Sequence, residues 1–262
     1  MLTKEQVEEV AADLWHAEQT GEWTASLTTR YPDADIEDAY KVGLGVRDLK
    51  VQAGRSVRGH KVGLTSKAMR DMVGATEPDY GLIYDDWFLP EGSTIERSAM
   101  NRPMVEVELA FVMKHRLEGP FINAADVIRA TDFVLPALEI VDMRFQKSGS
   151  SLLVDSISDG AMCGKVVLGG NPVDLKGFDP RRVSASLSIN GQIVESGSAS
   201  AVMANPINAV AWLANTLHRF DMAMEPGDVI LSGSFIRAIP FDAGDTLCAQ
   251  YDQLGEVMLS VG

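Results

Sequence analysis

What the chain has little of narrows its possibilities first. Only two cysteines, Cys163 and Cys248, occur in 262 residues. They lie far apart and outside any C-x-x-C pattern, so a disulfide framework and a thiolate metal site are both excluded, and the two are expected as reduced core residues. The four histidines, His16, His60, His115 and His218, are scattered with no H-x-x-x-H pairing that could hold a metal from one helix face. Positive charge is scarce: 23 Lys and Arg against 37 Asp and Glu give a formal net charge of −14. No long basic run could follow a phosphate backbone, so neither nucleic acid nor an anionic membrane is an expected partner. No apolar stretch reaches the about 20 residues of a membrane span. The opening MLTKEQVEEVAADLW is a charged amphipathic helix rather than a signal peptide, and a cytoplasmic location follows as the default expectation. Nucleotide signatures are missing too. VGLGVRDLK carries Gly43 and Gly45 without a third glycine or a preceding strand, and no G-x-x-x-x-G-K-[ST] is present.

What is there describes an ordinary globular protein, with 46% hydrophobic and 23% charged residues. The length suits one large domain with a small appended region. Thr3 with Gln6 makes a capping box, and Val7, Val10, Ala11 and Leu14 recur at helical spacing, predicting a helix over 3–19. A second helix is predicted over 36–51. From Gly59 onward short runs bounded by Gly, Pro, Asn or Asp dominate, among them HKVGLT, ELAFVM, DFVLPALEIVD, KVVLGG and GDVILSG. VSASLSINGQIVESG predicts a hairpin turning at Asn190-Gly191, and Asn205-Pro206 caps and starts a further helix. The expected organisation is a helical region over 1–57 followed by a β-rich catalytic body over 58–262. Two helices bury little alone, so they must pack on the body or on a neighbouring subunit.

Within MVEVELAF, residues 104–111, Glu106 and Glu108 sit two apart in a strand and therefore share a face, while Val105, Val107, Leu109 and Phe111 share the other. Either water bathes that acidic face or a cation sits there. Glu139, inside the apolar run FVLPALEIVDM, favours the cation, because an ionised carboxylate in such surroundings is costly without compensation. Three carboxylates supply a hard, oxygen-rich site suited to Mg²⁺ or Mn²⁺. Lys61, in GHKVGLTSKAM, lies between glycines in a predicted strand; it is either a snorkelling side chain or a group held to bind an oxyanion or move a proton. Asp79, in EPDYG, is expected in a turn, with a functional role only if it pairs with Lys61.

Taken together, GHKVGLTSKAM, EPDYG, RPMVEVELAF, ATDFVLPALEIVD, DSISDGA, NAVAWLAN and GSFIRAIPFDAGDT occur in the order and spacing of the 2-hydroxydienoate hydratases of aromatic meta-cleavage pathways, and the chain resembles that family over essentially its whole length. The resemblance is nearest to the branch acting on dicarboxylic substrates, the 2-oxohept-4-ene-1,7-dioate hydratases; the wider group includes 4-oxalocrotonate decarboxylase. It implies an α+β fumarylacetoacetate hydrolase fold, a mixed β-sandwich or roll with a small helical N-terminal region. It implies Glu106, Glu108 and Glu139 as Mg²⁺ ligands, with Mn²⁺ a substitute, and Lys61 with Asp79 as the acid–base pair. Arg237, in GSFIRAIP, is a candidate grip for a distal substrate carboxylate, with Ser234 a second substrate contact. The resemblance further implies a homopentamer or decamer and association with a pathway decarboxylase or aldolase. The chain departs from the family at Ser158-Asp159-Gly160 and in the short connection MRFQKSGSSLL. The expected reaction is hydration of a dienoate. Decarboxylation of a 2-oxo-3-enedioate, or a noncatalytic subunit supporting such an enzyme, are the alternatives.

Overall fold

The computed structural model describes residues 1–146 and 149–262, so positions 147 and 148 of the connection MRFQKSGSSLL lie outside the described residues. Two 17-residue helices, Lys4–Thr20 and Ile36–Gln52, precede the first long strand. Thr3 and Gln6 form the reciprocal capping box, and Gly21 ends the first helix in the left-handed conformation that glycine adopts at least cost. Val10, Ala11 and Leu14 pack with Ala39, Val42 and Ile157, so the helices cover one end of the body rather than standing free.

The body is built on two sheets. The larger runs, from edge to edge, through Asp79–Tyr84, Val57–Gly63, Val229–Leu231, Pro103–Met113, Thr131–Asp142, Cys163–Leu168 and Phe88–Leu89, with Ile239–Pro240 also pairing to Pro103–Met113. Val57–Gly63 runs parallel to Val229–Leu231, whereas Pro103–Met113 is antiparallel to both Val229–Leu231 and Thr131–Asp142. The smaller sheet runs through Gln192–Ser198, Ser184–Ile189, Thr246–Tyr251, Gly255–Val261 and Thr94–Ile95. The mixed, two-sheet arrangement with a helical N-terminal region is the α+β fold the sequence predicts.

Local chemistry explains the joints. Asn190 and Gly191 both take positive φ, +52° and +76°, which the tight turn of the Ser184–Ser198 hairpin requires. Asn205 caps the helix Pro206–Leu217 by accepting from the Ile207 N–H, and that helix buries Val210, Leu213, Ala214 and Leu217 in the main core. The same core holds Val105, Val107, Leu109 and Phe111, the apolar face of Pro103–Met113. Tyr251 reaches across from the smaller sheet to donate to the Ala137 carbonyl at 2.5 Å, two residues before Glu139 on the same strand. Both cysteines are free as expected; Cys163 is buried, but Cys248 is half-buried on the solvent-side face of the smaller sheet, with Thr246 and Gln250, and is no core residue.

Candidate metal centre and active site

Strand register brings the acidic residues together. Pro103–Met113 and Thr131–Asp142 pair so that Glu106 stands opposite Glu139 and Glu108 opposite Ala137. One carboxylate oxygen from each of Glu106, Glu108 and Glu139 lies within 4.8 Å of the other two. Glu108 and Glu139 are fully buried and Glu106 is half-buried. The Gly233 N–H donates to Glu108 Oε2 at 2.7 Å, yet Glu108 Oε1 and both oxygens of Glu139 have no hydrogen-bond partner among the described residues. Burial, reinforced by the neighbouring carboxylates, pushes Glu106 up to about 7 and Glu108 well above the usual range. Buried carboxylate oxygens without hydrogen-bond donors are stable as anions only with a cation to compensate them. An all-oxygen set of this kind fits a hard divalent ion such as Mg²⁺ or Mn²⁺.

Among the described residues, Lys61 is the cation that pairs with this cluster. It stands on Val57–Gly63, is 3% exposed, and places Nζ 3.3 Å from Glu139 Oε1. It also donates to the Ala161 carbonyl at 3.1 Å. Burial opposes its charge, but Glu139, Glu106 and Asp79 together outweigh burial and raise its pKa above the ordinary lysine value. The glycines beside it are required by space: a side chain on Gly63 would fall 2.1 Å from Asp79 Oδ1, and one on Gly59 would strike the Val229 carbonyl.

Asp79 corrects two expectations. It is not in a turn but opens the strand Asp79–Tyr84, opposite Gly63, because Pro78 favours extended backbone as readily as a turn. Nor is it the ion-pair partner of Lys61, which is Glu139. Asp79 is 2% exposed, its Oδ1 has no hydrogen-bond partner, and burial raises its pKa even though Lys61 pulls the other way.

Lys61, Asp79 and Glu106 line a cavity of about 460 Å³ together with Ser234 and Arg237. Ser234 accepts from the Val107 and Ile236 N–H groups, so its side chain serves the turn after Val229–Leu231 while facing the cavity. Arg237 lies at the wall of the cavity with an exposed side chain and donates through Nε to Glu195 at 2.7 Å. Glu195, from the edge strand of the smaller sheet, is a site residue the sequence reading missed. The Ala161 carbonyl and the Gly233 N–H were also missed, since main-chain groups carry no signature of residue type. Cys163 is no nucleophile: burial and Glu139 push its thiol well up.

A mixed two-sheet body with a buried three-glutamate centre and an adjoining lysine defines a class of metal-dependent enzyme acting on oxygen-rich small molecules. Residues 51–261 match the family model for the fumarylacetoacetate (FAA) hydrolase C-terminal domain, and the chain belongs to that family. It is 42% identical over 253 residues to the 2-oxo-hept-4-ene-1,7-dioate hydratase of Escherichia coli, covering 95% of each chain. It is 37% identical over 247 residues to the 2-hydroxyhexa-2,4-dienoate hydratase of Comamonas testosteroni, covering 94% of this chain and 93% of that one. Among solved structures, the 4-oxalocrotonate decarboxylase of Pseudomonas putida G7, complexed with magnesium and adipate, superposes with a TM-score of 0.96 at 31% identity, covering 100% of this chain and 99% of the other.

Proposed function

We propose that this protein is a Mg²⁺-dependent hydro-lyase that adds water to a 2-hydroxy-2,4-dienoate, giving a 4-hydroxy-2-oxo acid in aromatic meta-cleavage degradation. The observation that carries the proposal is the convergence of Glu106, Glu108 and Glu139, with buried oxygens that no hydrogen bond satisfies, beside a buried Lys61, with Glu106 and Lys61 lining one cavity. The hydratases among the relatives name the reaction.

Glu106, Glu108 and Glu139 would hold Mg²⁺, which when bound supplies Lewis-acid stabilisation of charge developing on the substrate's C2 oxygen. The rest of the chemistry falls to the chain. Ketonisation places a proton on C5 as the C2 enol oxygen loses its own, and hydration then places hydroxyl on C4 and a proton on C3, so two protons must be delivered to carbon and two removed, one from the enol oxygen and one from water. Lys61 Nζ, buried at the cavity wall with its protons directed by Ala161 O and Glu139, is the donor and acceptor for these transfers. Asp79, buried with an unpartnered oxygen and a raised pKa, is suited to exchange a proton within the same cavity. Arg237 and Ser234 lie where they would meet the far end of the substrate, Arg237 pairing with a distal carboxylate in place of Glu195.

The likeness to a decarboxylase supports a second reading, loss of CO₂ from a 2-oxo-3-enedioate at the same centre. The experiment is to follow freshly generated mono- and dicarboxylic hydroxydienoates with and without Mg²⁺ and to weigh the products. A metal-dependent gain of one water is expected; loss of CO₂ moves the assignment to the decarboxylase, and no turnover leaves a supporting subunit. Lys61→Ala is expected to abolish turnover while Mg²⁺ binding remains measurable. The assembly that goes with this reading is a homopentamer or decamer that associates with a pathway decarboxylase or aldolase.

A further inference from the structure

The carbonyl that receives Lys61 belongs to an unusual piece of backbone. Gly160, Ala161 and Met162 have φ of +60°, +53° and +58°, three consecutive left-handed residues of which only the first is glycine. Each non-glycine residue in that conformation costs about 1–2 kcal/mol, so the surrounding structure must hold it in place.

Arg144 does so from both ends. Its guanidinium is 3% exposed and donates to the Asp159 carbonyl at 2.7 Å, just before the turn, and to the Cys163 carbonyl at 2.7 Å, just after it. A third bond, from Nε to Asp159 Oδ1 at 2.5 Å, and one from the Arg144 N–H to Asp159 Oδ2 at 3.1 Å fix Asp159 itself. From the other side, Gly81 leaves room for the turn: a side chain there would come within 2.0 Å of the Gly160 carbonyl and an ordinary 3.4 Å of Lys61 Cγ.

We infer that Arg144 is a positioning residue for catalysis, bridging the two ends of the 160–162 turn so that Ala161 O orients the Lys61 ammonium, with Asp159 as its anchor. The inference rests on Lys61 being the proton-transfer group. The planar fork of Arg144 reaches two carbonyls four residues apart at once; a lysine, with its donors on one nitrogen, cannot.

The test is steady-state kinetics of Arg144→Lys with Mg²⁺ affinity measured alongside. Misplacing a reacting group by about 1 Å costs up to about 100-fold in rate. The expected result is a fall in kcat of roughly 10- to 100-fold, with KM and Mg²⁺ affinity within about threefold of the parent. Gly81→Ala provides a second route that leaves no buried charge unpaired: it pushes the Gly160 carbonyl aside and is expected to give the same selective loss of kcat. Folded variants with parental kcat, or a kcat loss matched by an equal loss of Mg²⁺ affinity, would overturn the inference. If Lys61→Ala turns over normally, the Lys61 reading fails with it; if Lys61→Ala is inactive while both other variants are unimpaired, only the role of Arg144 falls.

Discussion

Glu106 and Glu139 face each other across adjacent antiparallel strands, a pairing in which like charges work against the sheet. The arrangement is destabilising by itself and favourable only with a cation between the carboxylates. Glu106→Gln is therefore expected to weaken Mg²⁺ binding by at least 10-fold, in calorimetric titration, while raising the stability of the metal-free protein by about 1 kcal/mol in denaturant unfolding. Loss of both together would contradict a metal role for this residue.

The acidity of the centre gives stability a definite pH dependence. Glu106, held up to about 7 in the folded chain against 4.5 as its ordinary value, favours folding when protonated. Its contribution is fully present below 4.5 and is lost as pH rises through 7, at on the order of 1.4 kcal/mol per unit of displacement. In chelator, this term should lower the melting temperature as pH rises from roughly 4.5 to 7 and add no further slope above that, and Glu106→Gln should remove it. Saturating Mg²⁺ should reverse it, because the ion competes with the proton. His60 opposes it over much of the same range: burial lowers it to about 4, so its contribution to stability is lost as pH falls from 6.5 to 4, and the Glu106 term is read as the difference between the parent and Glu106→Gln.

Substrate choice is expected to turn on Arg237 and Glu195. Arg237→Met should raise KM for the dicarboxylic dienoate about 10-fold or more and leave the monocarboxylic one within about twofold, a difference read directly from kcat/KM ratios. Glu195→Gln frees Arg237 from its ion pair and should lower KM for the dicarboxylate. An unchanged ratio in both variants would place substrate discrimination elsewhere.

Where the N-terminal helices meet the body, Lys50 is buried with Nζ 2.5 Å from Glu18 and 4.2 and 4.1 Å from the ring centres of Tyr84 and Trp87. Lys50→Met leaves Glu18 without its cation and should cost about 2 kcal/mol in urea unfolding. Adding Glu18→Gln should recover most of the loss.

How much of this was legible beforehand depended on the kind of signal. Glu106 and Glu108 were readable because strand alternation is local, and Glu139 because a carboxylate in an apolar run stands out. Thr3, Asn190-Gly191 and Asn205-Pro206 act within a few residues, so their caps and turn could be read without the fold. The partner of Lys61 could not: it depends on the register of strands distant in sequence, which brought Glu139 rather than Asp79 to its ammonium. Arg144 gave no signal, since its partners are a carboxylate and two carbonyls 15 to 19 residues away.

The division of labour between the two sheets has a consequence for engineering. Glu106, Glu108, Glu139 and Lys61 all stand on long strands of the larger sheet, whereas Glu195 comes from the edge hairpin Ser184–Ser198 of the smaller one. The hairpin's outer strand Gln192–Ser198 pairs with Ser184–Ile189 alone among the described residues, so that strand can be resized without disturbing the register that assembles the carboxylates, whereas the Asn190 turn is tied to Asp245 and Thr246. With Glu195 and Arg237 as the substrate-length contacts proposed above, retargeting to longer or shorter acids becomes a matter of redesigning this one edge strand, with the reactive centre carried over intact.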